Sequence, residues 1–313
     1  MLGYIGRRLL ATIPVMTVVA VFVFMLLRLT GGDPAAIIAG DNATSRDVAE
    51  IREKLGLDEP IVHQFAIWIG RIMRGDLGES FFFKKTVVAL IAERLEPTLA
   101  LAMCTLLLAV ALAVPLGVTA AYTRGSWIDR AVMGLSVLGF SVPVFVIGYA
   151  LMYLFAIQLA WLPVQGYQRI GDGVGGFIQR LILPSVALAI IYVALIARIT
   201  RASVLEVLNA DHVRTARAKG LSDLPVLLRH VLRNAAVPIV TIIGLGVALL
   251  IGGVVVTESV FSIPGLGRLT VDAVLARDYP TVQAVVLLFS AVYVLINLLV
   301  DLTYTFLDPR IRY

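Results

Sequence analysis

Apolar residues in this chain collect in long unbroken blocks rather than alternating with polar ones. Six blocks stand out, Leu9–Leu29, Thr98–Ala121, Ala131–Leu159, Leu181–Ala197, Val237–Val256 and Val282–Leu302. Each approaches or exceeds the roughly 20 apolar residues that carry an α-helix across a hydrocarbon core. Six membrane spans are therefore expected. Pro14, Pro115 and Pro143 fall inside the first three and are expected to interrupt them, with neighbouring helices or waters taking up the freed carbonyls. Such spans pack in a bundle, and Gly244, Gly246, Gly252 and Gly253 in the fifth allow close helix approach.

The polar stretches between the blocks set orientation. Arg7, Arg8, Arg124, Arg130, Arg310, Arg312 and the basic residues between the fourth and fifth blocks fall on one side, against Arg169, Arg180, Arg268 and Arg277 on the other. Short loops rich in Lys and Arg stay in the cytoplasm, so both termini are expected there.

The segment 30–97 then lies outside and reads as a small helical insertion. Thr44 and Asp47 suit a capping pair before a helix carrying Val48, Ile51 and Leu55, closed by Gly56. After the Leu57–Pro60 turn, Phe65, Trp68, Ile69 and Ile72 keep an i, i+3, i+4, i+7 stripe as far as Gly75. That stripe needs a surface to cover: another helix, the membrane or a partner. It is the candidate outer lid.

The most informative stretch is Asp211–Pro238, DHVRTARAKGLSDLPVLLRHVLRNAAVP, which falls within the expected cytoplasmic loop 202–236 and its junction with the fifth block. Val204, Val207, Leu208 and Val213 mark one stripe of a helix expected to run to Lys219, where Arg214, Arg217 and Lys219 suit the helix dipole. Gly220 supplies a residue able to take φ > 0 just past the helix end. Ser222, Asp223 and Pro225 offer a polar cap and first-turn proline for a second helix.

Composition agrees with a bilayer protein. The 313 residues are 59% hydrophobic and only 15% charged, with a mean hydropathy of +0.94. A net charge of +5 and a pI near 9.5 are better explained by orientation and anionic lipid headgroups than by nucleic acid, because no basic patch is interleaved with aromatics. Cys104 is the one cysteine, so an internal disulfide is impossible. The opening MLGYIGRRLL begins like a signal peptide, but no small-residue cleavage site ends its long apolar run, so it is read as a retained first span.

The central stretch resembles the loop by which permease subunits of ATP-binding-cassette importers dock on their ATPases. Gly220 and Ala216 fit the general pattern, whereas Arg214, Thr215, His230 and Arg233 depart from it. RTARAKGL followed by RHVLRNAAVP is instead similar to the first permease of the dipeptide, oligopeptide, nickel and glutathione importer branch. GGDP at Gly31–Pro34, LGLDEP at Leu55–Pro60, GDLGES at Gly75–Ser80 and NLLVDLTYTFLDPRIR at Asn297–Arg312 resemble the same branch. So does GGVVVTESVFSIPGLGRL at Gly252–Leu269, followed by ARDYP at Ala276–Pro280.

The resemblance implies an all-α integral membrane protein. It would be a single six-helix domain of the type I importer class, with an extracytoplasmic helical insertion after the first helix, in the bacterial inner membrane. It implies a second homologous permease completing a heterodimer, two cytoplasmic ATPases that bind ATP and magnesium, and an extracytoplasmic solute-binding protein. Di- or oligopeptide is the implied cargo, with nickel or glutathione as alternatives.

Arg214, Thr215, Ala216, Arg217, Lys219, Gly220, His230 and Arg233 are the implied ATPase-coupling positions, with Ala216 inside an ATPase groove and Arg217 and Lys219 at its rim. Glu258, Phe261, Pro264, Gly265 and Gly267 form the implied outer gate, and Pro264 and Gly265 suit the centre of a tight turn. Glu258 and Asp301 also fit the plainer roles of an interfacial carboxylate and a partner for a basic residue.

Catalysis by this chain is not expected. No P-loop, His-Glu-x-x-His, Cys-rich metal spacing or Gly-x-Ser-x-Gly element occurs, and His63, His212 and His230 are scattered. A secondary carrier would show inverted repeats and mid-membrane ionisable groups, and a membrane-embedded enzyme a polar catalytic set. Neither pattern is clear, and no cofactor is expected in the chain itself.

Overall fold

The computed structural model describes residues 2–29, 34–39, 44–80 and 82–307. Gly31–Asp33 of the first motif, Asp308–Arg312 of the last, and the side chains of Asp47, Ile51 and Leu55 lie outside that description. The apolar blocks form helices α1 (Leu2–Leu29), α5 (Val87–Tyr122), α6 (Trp127–Ser141), α7 (Val144–Leu151), α8 (Val174–Leu208), α11 (Leu232–Val260) and α13 (Tyr279–Leu307). Among the described residues, five stretches are long and apolar enough to cross a membrane, or six if the bent α6–α7 pair counts as one span.

Proline acts differently at different positions. Helices α1 and α5 run through Pro14 and Pro115, correcting the expected interruptions, since the fixed φ of proline is helical and the ring removes one bond only. Pro143 does break its segment. Val142 is extended (φ −94°, ψ 127°), the conformation a following proline ring favours, and the chain bends by 102° between α6 and the helix after it. That second arm continues from α7 through a π-helical stretch, Met152–Gln158.

The chain divides into two compact units. The first comprises Met1–Glu96 and Gly265–Val294. It holds α1, the short helices α2 (Pro34–Ala39), α3 (Ser45–Leu55) and α4 (Ile61–Met73), a hairpin of β1 (Glu79–Ser80) with β2 (Lys85–Thr86), the start of α5, α12 (Leu266–Leu275) and most of α13. The sequence stripe on α4 packs on α1, with Phe24 lying 5.2 Å from Phe65 and 5.5 Å from Trp68 between ring centres. Gly56 closes α3 with φ +62°, and Gln64 Nε2 donates to the carbonyls of Leu57 (2.9 Å) and Glu59 (2.7 Å), holding the α3–α4 turn. Leu90, Leu266, Leu269 and Val285 make a small core, and Gln283 Nε2 donates to the Val23 carbonyl at 3.0 Å.

The second unit comprises Pro97–Pro264 and Leu295–Tyr313. Its centre is α8, whose Leu181, Leu188, Tyr192 and Ile196 are buried against α5, α7 and α11. Small residues set the spacing: a Cβ on Gly117 would stand 2.6 Å from the Ala197 carbonyl, and one on Gly253 2.7 Å from Leu188 Cδ1. Gly244 and Gly246 also face packed neighbours, whereas Gly252 faces open space.

Candidate functional site

The expected helix from Val204 to Lys219 is two helices. Helix α8 stops at Leu208, Ala210 is extended (ψ 146°), and α9 runs Asp211–Ala218. At the stop, Asn209 N–H donates to the Glu206 carbonyl (3.3 Å) and Ala210 N–H to the Val207 carbonyl (3.0 Å), tightening the last turn, while Asn209 Nδ2 donates to the Leu205 carbonyl at 2.9 Å. At the far end of α9, Gly220 has φ +83°, Gly220 N–H donates to Arg217 O (2.9 Å) and Leu221 N–H to Ala216 O (3.3 Å). This is the paired terminal bonding of a Schellman cap, and it satisfies carbonyls the helix end would otherwise strand.

The second helix is not separate either. Ser222 is extended but makes no side-chain capping bond, Asp223–Pro225 form one turn (α10), and Val226–Val231 continue as a π-helical turn into α11. The result is one 38-residue stretch, Asp223–Val260.

The corner has a sided structure. Val213 and Ala216, three residues apart on α9, face inward onto Ala121, Val204, Val226, Val231, Ala235 and Ile239. Ala216 is 5% exposed, so it fills the chain's own core rather than a partner's groove. The outward face carries Arg214, Thr215, Arg217, Lys219 and Gly220. Arg214 approaches Asp211 and Arg217 approaches Asp223, each at 3.5 Å. Leu221, Leu224 and Leu228 add exposed apolar surface beside these cations, which the sequence reading missed. Arg233 is exposed and His230 half-buried, with the His230 carbonyl accepting from Asn234 Nδ2 at 2.6 Å.

A charged pair in the same unit was also missed. Asp129, 4% exposed, takes Arg201 Nε on Oδ1 (2.5 Å) and Arg201 Nη2 on Oδ2 (2.7 Å), while Gly125 N–H donates to Oδ2 (2.9 Å). The Ser126-x-x-Asp129 start of α6 was a legible capping signal, since Ser126 Oγ accepts from Asp129 N–H at 3.3 Å. Its partner Arg201, 72 residues on, was not.

At the other candidate site, Glu258 on α11 is fully buried and accepts from Thr98 Oγ1 at 2.6 Å. The protein itself, rather than solvent, surrounds this carboxylate. Helix α11 ends in a cap like that of α9, but with serine in the left-handed position: Ser262 has φ +52° and Ile263 N–H donates to Glu258 O at 2.9 Å. The expected turn at Pro264–Gly265 therefore lies earlier, at Ser262. Gly265 is extended (φ −104°, ψ −176°) as the N-cap of α12, and Gly267 is buried within that helix. Phe261 is 3% exposed and packs on Gly148 of α7, and Gln165 Nε2 donates to the Val260 carbonyl at 3.1 Å. Within α4, Phe65, Trp68, Ile69 and Ile72 are half-buried. Among the described residues, no group of three or more His, Cys, Asp or Glu is arranged to hold a metal.

Comparison with known proteins decides the family. Residues 113–313 match the inner membrane component of binding-protein-dependent transport systems, and residues 1–102 match the N-terminal region of such membrane components. The chain belongs to this permease family. It is a transport component rather than an enzyme, and ATP hydrolysis is the task of partner ATPases. The permease is 56% identical over 310 residues, covering 99% of both chains, to a probable peptide ABC transporter permease of Sinorhizobium fredii. It is 45% identical over 313 residues, covering 100% of both chains, to a putative peptide transport system permease of Brucella abortus. It is equally 45% identical, with the same coverage, to the glutathione transport system permease of Salmonella choleraesuis. In fold it is similar to a chain of the inward-facing MetNI methionine ABC transporter, with a TM-score of 0.59 and 18% identity over 71% of this chain and 97% of that one. The permease thus has a type I importer transmembrane fold.

Proposed function

We propose that this permease forms half of the translocation pore of an ATP-driven peptide importer, completed by a second homologous permease, two ATPases that bind ATP and magnesium, and an extracytoplasmic solute-binding protein. The full-length 56% identity to a probable peptide permease carries the cargo assignment. The equal resemblance of two other relatives, one named for peptide and one for glutathione transport, favours glutathione as the second reading.

In this reading, α9 and the Gly220 turn are the docking element for an ATPase. Arg214, Arg217 and Lys219 supply rim cations, Thr215, His230 and Arg233 flank them, and Ala216 supports the corner from inside. The cap at Gly220 and the buried Val213 and Ala216 tie α9 to its neighbours, so ATPase closure moves the corner as one piece that biases the pore between inward and outward states. Both termini face the cytoplasm, Glu258, Phe261, Pro264, Gly265 and Gly267 belong to the outer gate, and Phe65, Trp68, Ile69 and Ile72 to an outer lid.

The test is uptake by the reconstituted complex of labelled dipeptide, oligopeptide and glutathione, each competed by the others. Peptide uptake that glutathione fails to compete supports the proposal. Glutathione uptake alone overturns the cargo, and failure of any ATPase to copurify overturns the docking assignment. Orientation is checked in a Cys104-free background with an impermeant maleimide on sealed cells, where Gly171→Cys should label and Ser222→Cys should not.

A further inference from the structure

The fork between Asp129 and Arg201 joins two helices that the rest of the structure already holds close. Along α6, Gly139 lets the helix approach α8 until a Cβ there would be 3.1 Å from Ile190 Cγ2 and 3.3 Å from the Ile190 carbonyl. At the start of α6, the carboxylate of Asp129 is held by both arms of the Arg201 guanidinium and by the Gly125 amide. Gly125 itself sits in the turn from α5 with φ +79°.

One helical turn beyond Arg201, the fully buried Val204 belongs to the core that supports Val213 and Ala216 of α9. At its far end, α6 reaches the Val142–Pro143 bend. The pair therefore lies between the α9 corner and the one sharp break among the described long helices.

Stability alone is a weak reason for this arrangement. A partly buried ion pair such as this one, with Arg201 half-buried, gives back little beyond what its desolvation costs, and an apolar pair of similar volume often serves as well. What a two-armed pair adds is direction, because two parallel bonds resist both sliding and rotation of one helix on the other.

We propose that Asp129 and Arg201 are positioning residues of the transport cycle, locking α6 to α8 at the α9 end so that movement of the corner reaches the Val142–Pro143 bend. Without the lock, the Thr123–Ser126 turn absorbs that movement. The inference rests on the α9 corner being the ATPase docking element.

The experiment uses the complete reconstituted complex and reads cargo taken up per ATP hydrolysed. Arg201→Lys keeps the charge but loses the fork. It should retain the ATPases and lower uptake per ATP by roughly tenfold, within the usual range for coupling between two sites. Asp129→Leu combined with Arg201→Met replaces the pair by apolar packing. It should recover thermal stability close to that of the unaltered complex while uptake per ATP stays low, an outcome a merely structural pair would not give. Normal uptake per ATP in Arg201→Lys, or its recovery in the apolar double variant, overturns the proposal. The docking reading is tested separately by ATPase copurification with Leu224→Asp and Gly220→Val. If those variants hold the ATPases normally, docking lies elsewhere whatever the ion pair does.

Discussion

Ser80 and Asp278 lie 198 positions apart, and the Ser80 hydroxyl donates a 2.5 Å hydrogen bond to Asp278 Oδ2. Thr281 Oγ1 donates to the same oxygen at 2.6 Å, and Ser80 Oγ accepts the Phe83 amide at 2.9 Å. The bond joins the GDLGES motif to ARDYP and seats the β1–β2 hairpin on the start of α13. Ser80→Ala should cost about 1–3 kcal/mol, because it removes a donor from a buried carboxylate and strands an amide. Lys84 and Lys85, exposed on the hairpin, report the effect. Trypsin should cut there several times faster in the variant, and an unchanged rate would show that this bond does not seat the hairpin.

Gly220 faces open space, so a larger residue there meets no clash but must hold φ near +83°. Gly220→Val should cost on the order of 1–2 kcal/mol and reduce both ATPase copurification and ATP hydrolysis stimulated by loaded binding protein. Gly220→Asn should be milder, because asparagine tolerates the left-handed region. Equal behaviour of the two variants would remove backbone strain as the cause.

The inward and outward faces of the corner separate folding from partner contact. Ala216→Asp buries a carboxylate in the core of Val204, Val213 and Val226, and by loosening the corner should speed trypsin cleavage at the already exposed Arg214 and Arg217. Leu224, 64% exposed, is the contrasting site. Leu224→Asp should change stability by no more than about 0.5 kcal/mol yet weaken ATPase copurification. Loss of thermal stability in Leu224→Asp would place that side chain in the fold instead.

Two glycines test helix packing. A methyl group at Gly117 meets the Ala197 carbonyl and Thr200 Cβ at 2.6 and 2.7 Å, so Gly117→Ala should destabilise by about 1–3 kcal/mol. Gly134 on α6 meets nothing within 4 Å, and Gly134→Ala should be neutral or stabilising by up to about 1 kcal/mol. Melting temperatures of the purified permease in detergent measure both, and a lower value for Gly134→Ala than for Gly117→Ala would contradict the packing described.

Much of this was legible from local pattern. Hydropathy located the long helices, the α4 stripe named the Phe65 and Trp68 that pack on α1, and Gly56 and Gly220 take the left-handed conformations expected just past helix ends. The errors came where two local signals competed or where a signal was silent. Proline is ambiguous because its ring disfavours a helix at the residue before it without excluding one: Val114 stays helical and Val142 is extended. Helix α8 ends at Leu208 within a stripe that continues to Val213. Ser262 and Arg277 adopt positive φ without being glycine, so nothing in their identity marked the ends of α11 and α12. Asp129–Arg201, Ser80–Asp278 and Thr98–Glu258 join distant positions, and no periodicity carries such pairings.

The unbroken passage from Asp223 to Val260 has a mechanical consequence. Its 38 residues, at 1.5 Å per residue, make a rod of roughly 57 Å, nearly twice the roughly 30 Å of a hydrocarbon core. A tilt of about 5° about one end moves the other by about 5 Å, close to one helical pitch. The wider π-helical turn at Val226–Val231 lies near the α9 end of that rod, so any bending there comes before most of its length and leaves the remainder to act as a lever whose far tip carries Glu258.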